Sequence, residues 1–377
     1  MNKMMVKERL FSLDALRGFD MFWIIGGGGL IGALAKSTDW SWMHNLALQM
    51  QHVKWDGFRF FDLIFPLFMF ISGAVIPYSV LAKQEKGLSR KRLIGHAARR
   101  LLLLFILGLV YNGVFRNGFA DARYASILAQ IGFAYFFTVL IVLFTSSQVT
   151  RLIWLLGILA GIAILQLLVP VPGFGSGVLT PEGHINGYID RMLLPGRLIY
   201  GPDGPTSGQG IYDALGILST ISSTGITLMG VFAGFILRRT GKTGLQKTGV
   251  LAAVGTTLVI LSLVIAPFYP VIKNCWTSTY TLRTGGISFM LVAAFYLVID
   301  VWGWEKWSLF FRVIGLNSIT IYICTRIVHF GHTSQYLFGW LGKYAGDFGP
   351  VVISLGIIFI EWLLLYYLYR NKVFLKV

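Results

Sequence analysis

Apolar residues run along this chain in blocks of about 20, separated by short polar stretches. Ten blocks can be drawn, roughly at 13–34, 59–82, 96–114, 126–146, 152–170, 213–237, 248–268, 284–302, 309–328 and 349–369. At 1.5 Å rise per residue, each is long enough to cross the hydrocarbon core of a bilayer as a helix. No series of ten-residue alternating strands occurs, so the pattern excludes a closed β-barrel. It predicts an all-α polytopic membrane protein of about ten transmembrane helices, with 1–377 forming one domain and no clear internal repeat. Two polar segments stand out, 35–58 and 171–212. The second is rich in Gly and Pro and longer than an ordinary connection. It still holds apolar pieces such as Tyr188-Ile189 and Met192 to Leu194, which predicts a packed lid.

Composition supports the pattern. The chain has 377 residues, a mean hydropathy of +0.70, 55% apolar residues and 13% charged, about half the charged share of a soluble domain. The net charge of +16 could suggest nucleic acid, but its distribution points to a membrane instead. With the N-terminus inside, the short inner segments hold 21 of the 32 basic residues. They include Lys3, Lys7, Arg9, Arg17, the run from Lys83 to Arg100, and the tail. The positive-inside bias then predicts that both termini are cytoplasmic and that 35–58 and 171–212 lie outside. MNKMMVKERLFSLDALRG runs into the first span without a small-residue cleavage site, so no cleavable signal is expected. Cys275 and Cys324 form neither a disulfide framework nor a metal site.

Candidate chemistry concentrates in QHVKWDGFRFFDLIFPLFMFISG, residues 51–73. His52, Lys54, Asp56, Arg59 and Asp62 stand where the chain leaves water for lipid, where ionisable groups mark function by default. Interfacial anchoring explains Lys54, Trp55 and Arg59, and taken alone His52 also reads as an ordinary interface histidine. Against that, a histidine can take a proton from an attacking amine or hydroxyl, or act as a nucleophile. Asp62 lies ten residues on, within reach of His52 if the Trp55-Asp56-Gly57 turn folds back. Pro66 lacks the N–H that would serve the Asp62 carbonyl, which predicts a polar notch.

Other constellations keep two readings. Asp14 and Arg17 share a helix face, either as an entry salt bridge or as the mouth of a site for an anion. The run Gly26 to Gly29 costs about 1 kcal/mol per residue against Ala and, with Gly18, implies close backbone approach or a broken helix, and with it a cavity. Lys273, Asn274, Trp276, Thr277, Ser278 and Tyr280 form either an aromatic belt with polar caps or a sugar-facing wall. His329 and His332 are three apart with no carboxylate nearby, so metal is the minority reading. Glu361 reads as a helix–helix polar contact.

SLDALRG, HVKWDGFRFFDLIFPLFMFISG, GYIDR, DALGILSTI, KNCWTSTYTL, GLNSITIY and LYRNKVFLKV occur in that order. Together they closely resemble the heparan-α-glucosaminide N-acetyltransferase family, including its bacterial relatives, over nearly the whole chain from residue 9. The resemblance implies a multi-pass acyltransferase of the bacterial inner membrane. It would pass acetyl from cytoplasmic acetyl-CoA, its co-substrate, to a glucosamine amine outside, without a metal. It maps the active histidine to His52, which Asp62, on the position read above, would orient. Arg17, Arg99 and Arg100 are candidates for the CoA phosphates, with Asp14 and Asn317 placed alongside them, whereas Trp55, Lys273, Asn274, Trp276, Ser278 and Tyr280 are candidates for the acceptor. An asparagine ahead of the glycine run in the animal enzyme is replaced by Ile24-Ile25, its role open to Asn45, Gln49 or Gln51. Related enzymes suggest a homodimer. Two rivals remain: O-acetylation of a glycan by the same machinery, and secondary transport of amino sugars or muropeptides.

Overall fold

The computed structural model describes residues 10–375; Lys3, Lys7, Arg9 and Lys376, counted above for orientation, lie outside them. The first helices are α1 (Phe11–Ser37), α2 (Ser41–Gln49), α3 (Phe60–Glu85), α4 (Arg90–Tyr111), α5 (Ile127–Phe144) and α6 (Gln148–Leu168). Next come α7 (Ile185–Leu193), α8 (Ile217–Arg238), α9 (Gly244–Ile265) and α10 (Ser278–Val301). The last are α11 (Leu309–Leu316), α12 (Ser318–Ile327), α13 (Phe330–Tyr344) and α14 (Gly346–Arg370). Among the described residues nine of these are long and apolar enough to span a membrane, and α11 with α12, bent by 71°, makes a tenth. The protein is an all-α multi-pass membrane protein, as the hydropathy blocks predicted.

The bundle is centred on α3 and α8. Leu67, Met69, Phe70 and Ile71 are fully buried, as are Ile226, Leu228 and Val231 opposite them. The two helices cross at Gly73 and Gly230, where a Cβ on either would strike the main-chain carbonyl of Thr227 or Phe70. Without a hydrophobic force between helices in lipid, such small-residue contacts let backbones approach and pack.

Successive spans reverse direction, so alternate connections should share a face, and their contacts agree. Asp56 bridges Ile272, and Arg123 bridges Gly196. Connections 38–59, 112–126, 169–216 and 266–277 therefore meet on one face. At the other face Arg238 pairs with Glu85, and the Ser12 N–H donates to Asp300 Oδ2 at 3.2 Å.

Three local features depart from the simple span pattern. The glycine run does not break α1: the helix continues through a π-helical turn at Trp23–Gly27, and Gly26 lets Ile358 of α14 approach. The break falls at Asn317 instead, between α11 and α12. Helix α13, absent from the predicted elements, packs along α14 with Ser334 Oγ donating to the Ile353 carbonyl at 2.7 Å. It leaves Tyr336, Trp340 and Tyr344 exposed, the aromatic signature of a membrane interface.

Candidate active site

The segment before α3 folds back over the start of that helix. Gly57 turns it, with φ +122, a left-handed conformation that favours glycine, and its N–H donates to the Val271 carbonyl at 3.0 Å. The turn brings His52 to Asp62 in the first turn of α3, Nδ1 to Oδ1 at 2.8 Å. Asp62 Oδ2 accepts from the main-chain N–H of Arg59 at 3.1 Å and of Val53 at 3.4 Å, so the same carboxylate caps the helix. Lys273, arriving from the α9–α10 connection, sets its Nζ 3.2 Å from Asp62 Oδ1. That nitrogen is also 2.7 Å from His52 Nδ1 and 3.1 Å from Nε2. Asp62 is 1% exposed and His52 about half exposed.

An ionised carboxylate only accepts hydrogen bonds, so the contact with Asp62 places the imidazole proton on Nδ1. Nε2 is then the basic nitrogen. Lys273 shares Asp62 with the histidine, and its amine lies beside the ring. Burial lowers the Lys273 ammonium to about 8, with Asp62 acting in the opposite sense. Below the trio, the Tyr280 hydroxyl donates to the Asp62 main-chain carbonyl at 2.7 Å. This is the acceptor that Pro66, four residues on, leaves without a helical donor.

His52 and Lys273 line a cavity of ≈490 Å³. Its inner wall is apolar, with Met21, Phe65, Phe68, Ile131 and Ile319; its mouth carries Lys54, Arg123, Tyr200, Asp203 and Asn274. A short hairpin, β1 (Tyr200–Gly201) with β2 (Gly204–Pro205), belongs to the covering segment. That segment is a packed lid rather than a linker. Trp55 Nε1 donates to the Leu179 carbonyl at 2.7 Å, and its ring lies against His184 and Tyr212. Asn186 and Gln166 both donate to the Cys275 carbonyl, at 3.0 and 2.7 Å. Asp190, from the GYIDR block, accepts from the main chain of Ile217 and Asp213 at the start of α8. Its burial nevertheless pushes the carboxyl up to about 7, and burial holds His184 down near 3, a neutral imidazole.

Arg123 and Asp213, 90 residues apart, form a two-pronged pair at 2.7 and 2.8 Å beneath the lid. Sequence reasoning missed it; the only signals were an arginine in the connection after the span 96–114 and an aspartate as the first residue of the span 213–237. Asp20, two turns inside α1, was also passed over: it is fully buried, with neither carboxylate oxygen hydrogen-bonded.

The structure unites His52, Asp62, Lys273 and Asn274 but not all the other candidates. Trp276 and Tyr280 are buried in the core and packed on each other, with Trp276 also against Phe65. Ser278 is buried too, its hydroxyl donating to the Leu159 carbonyl at 2.6 Å. These three do not line the cavity, because the chain turns inward at Trp276 with φ +47 and enters α10. Trp55 anchors the lid and is not on the cavity wall. Asn317 is occupied by the C-terminal segment: its amide donates to the Val373 carbonyl and accepts from the Leu375 N–H. Asp14 and Arg17 lie in the first two turns of α1, and Arg99 and Arg100 midway along α4; none of the four lines the cavity, and the Arg100 guanidinium lies 4.0 Å over the Tyr135 ring. Cys275 and Cys324 are both free thiols. His329 and His332 lie ring against ring, and the described residues contain no group of three metal-ligating side chains.

Comparison with known proteins bears out the resemblance read from the sequence blocks. A family model described as an acyltransferase domain matches residues 10–370. Heparan-alpha-glucosaminide N-acetyltransferase of Homo sapiens is 29% identical over 376 residues, and that of Mus musculus 26% over 374. Each match covers 87% of this chain and 56% of the relative, so the chain spans little more than half the length of these proteins. With the family match running through the whole helical bundle and the cavity inside it, the chain belongs to the acyltransferase-domain family.

Proposed function

We propose that this protein transfers acetyl from acetyl-CoA to the amine of a glucosamine-type sugar across a membrane, with His52 as general base. The observation that carries the reading is the His52–Asp62 contact at 2.8 Å in the wall of the cavity. Asp62 fixes the tautomer and leaves Nε2 to remove a proton from the attacking amine. The apolar inner wall offers water few hydrogen-bond partners, which limits its competition for the acetyl group. Lys273 and Asn274 at the mouth supply donors for the sugar hydroxyls.

Acetyl-CoA supplies the acetyl group as a thioester. Arg17, Arg99 and Arg100 are the groups we assign to its phosphates, because charged forks pair well with phosphate. Helix geometry supports the path. Arg17 lies one turn from Met21 on α1, and Arg100 shares a face of α4 with Tyr111, about 16 Å deeper, both Met21 and Tyr111 lining the cavity. Along this path Arg100 Nε and, between Arg17 and Met21, the Asp20 carboxylate oxygens are buried without hydrogen-bond partners. They fit the amides of a pantetheine arm. Asp14, one turn before Arg17, belongs to the same end.

The positive-inside bias assigns this arginine-bearing face to the cytoplasm and the cavity mouth to the outer side of a bacterial inner membrane. Purified protein supplied with labelled acetyl-CoA and a panel of amino sugars should place label on sugar nitrogen. Label on oxygen would point to O-acetylation, and the absence of transfer together with sugar uptake would point to transport.

A further inference from the structure

A general base for an amine must have that amine within hydrogen-bond reach. One primary amine of the chain already meets this condition. Lys273 Nζ is 3.1 Å from His52 Nε2 and 2.7 Å from Nδ1, and it lines the same cavity. We propose that Lys273 is an internal acetyl acceptor: in the absence of sugar, the protein acetylates its own Lys273 and closes the site. This inference rests on the acetyl-transfer reading above.

The residue suits the step. Its flexible four-carbon stem lets the amine swing from Asp62 toward the cavity, and a fifth of the side chain is exposed. With the ammonium lowered to about 8 by burial, a usable fraction is free amine near neutral pH. Lys54 also lines the cavity but has no contact with His52 among the described residues, so position rather than exposure separates the two lysines.

The step balances without any further reactant. The Nζ lone pair attacks the thioester carbonyl carbon, an N–C bond forms and the C–S bond breaks. The amine proton passes to His52 Nε2 and from there to the departing thiolate, giving an Nζ-acetyl-lysine and free CoA thiol. The product is a neutral, stable amide. It can no longer pair with Asp62 as a cation, and it fills the position an acceptor amine needs. A sugar bound in the cavity would displace Lys273 from His52 and protect it.

The test uses full-length protein in lipid nanodiscs with isotope-labelled acetyl-CoA and no sugar, followed by peptide mass spectrometry. Lys273 should gain one acetyl group about a hundredfold faster than Lys54, the low end of a general-base contribution. Saturating glucosamine should suppress that label, His52→Gln should abolish it, and pre-acetylated protein should lose sugar transfer in step with Lys273 occupancy. If glucosamine is acetylated while Lys273 gains no more label than Lys54, or if sugar fails to protect it, self-acetylation is wrong and the transferase reading stands. If neither the sugar nor Lys273 gains acetyl, both are wrong.

Discussion

The Tyr280 hydroxyl donates to the Asp62 main-chain carbonyl across 218 residues of sequence. Tyr280 thereby completes the first turn of α3, where Pro66 removes the helical donor. The hydrogen bond fixes the backbone that carries the Asp62 carboxylate, so the core and the site are joined at one oxygen. Tyr280→Phe keeps the ring and removes the donor, leaving a buried carbonyl unserved at a cost of about 1–3 kcal/mol. Thermal unfolding in detergent should show a lower midpoint and acetyl transfer a lower rate. An unchanged midpoint and rate would mean that Asp62 is held by other contacts.

Lys273 gives the protein a distinct alkaline signature. Its folded ammonium titrates near 8, below the ordinary 10.5, because burial disfavours the charge. Between those values the unfolded chain binds more protons than the folded one, so this residue makes stability rise with pH over that window. The slope of unfolding midpoint against pH from 8 to 10 should therefore be steeper in the parent protein than in Lys273→Met. Parallel slopes would mean that burial does not lower the Lys273 ammonium in the folded protein.

The Arg123–Asp213 pair ties the end of the covering connection 169–216 to the connection 112–126 through two charge-assisted bonds. Asp213 is fully buried, and removing one partner of a buried pair leaves a charge uncompensated, at about 3 kcal/mol. Arg123→Met and Asp213→Leu should each destabilise by about that amount, and the double variant by clearly less than the sum. Additive losses would show that the two charges are not coupled.

Sidedness has a separate check. With Cys324→Ser as background, Lys54→Cys and Asp203→Cys should react with an impermeant thiol reagent added outside intact cells, whereas Arg90→Cys should react only after the membrane is opened. The reverse pattern would invert the bundle and put the cavity mouth in the cytoplasm.

The spans were legible because lipid imposes length and apolarity on each helix independently of its neighbours. The approach of His52 to Asp62 was legible for a local reason, since ten residues and one glycine turn settle it. What lay hidden depends on packing between distant segments. No local pattern pairs Arg123 with Asp213, or tells that Trp276 turns inward while Lys273, three residues earlier, faces the cavity. The break at Asn317 escaped notice because the residues on both sides together make one apolar block of the length of a span. The glycine run was legible in part: it pointed to close approach or a break, and the structure has close approach, Gly26 against Ile358, with Gly26 and Gly27 in a π-turn in place of a break. Helix α13 is 15 residues long and rich in exposed aromatic residues, too short and too mixed for span counting to find.

The most direct measurement is the initial rate of acetyl transfer from labelled acetyl-CoA to glucosamine by the parent protein and by His52→Ala. The two should be matched for helical content and elution as a monodisperse particle. Loss of transfer by at least about a hundredfold, the contribution of a positioned general base, is expected with acetyl-CoA binding retained. Transfer at the parental rate in a folded His52→Ala protein would contradict the assignment of the base and, with it, the reading of the cavity as the site of acetyl transfer.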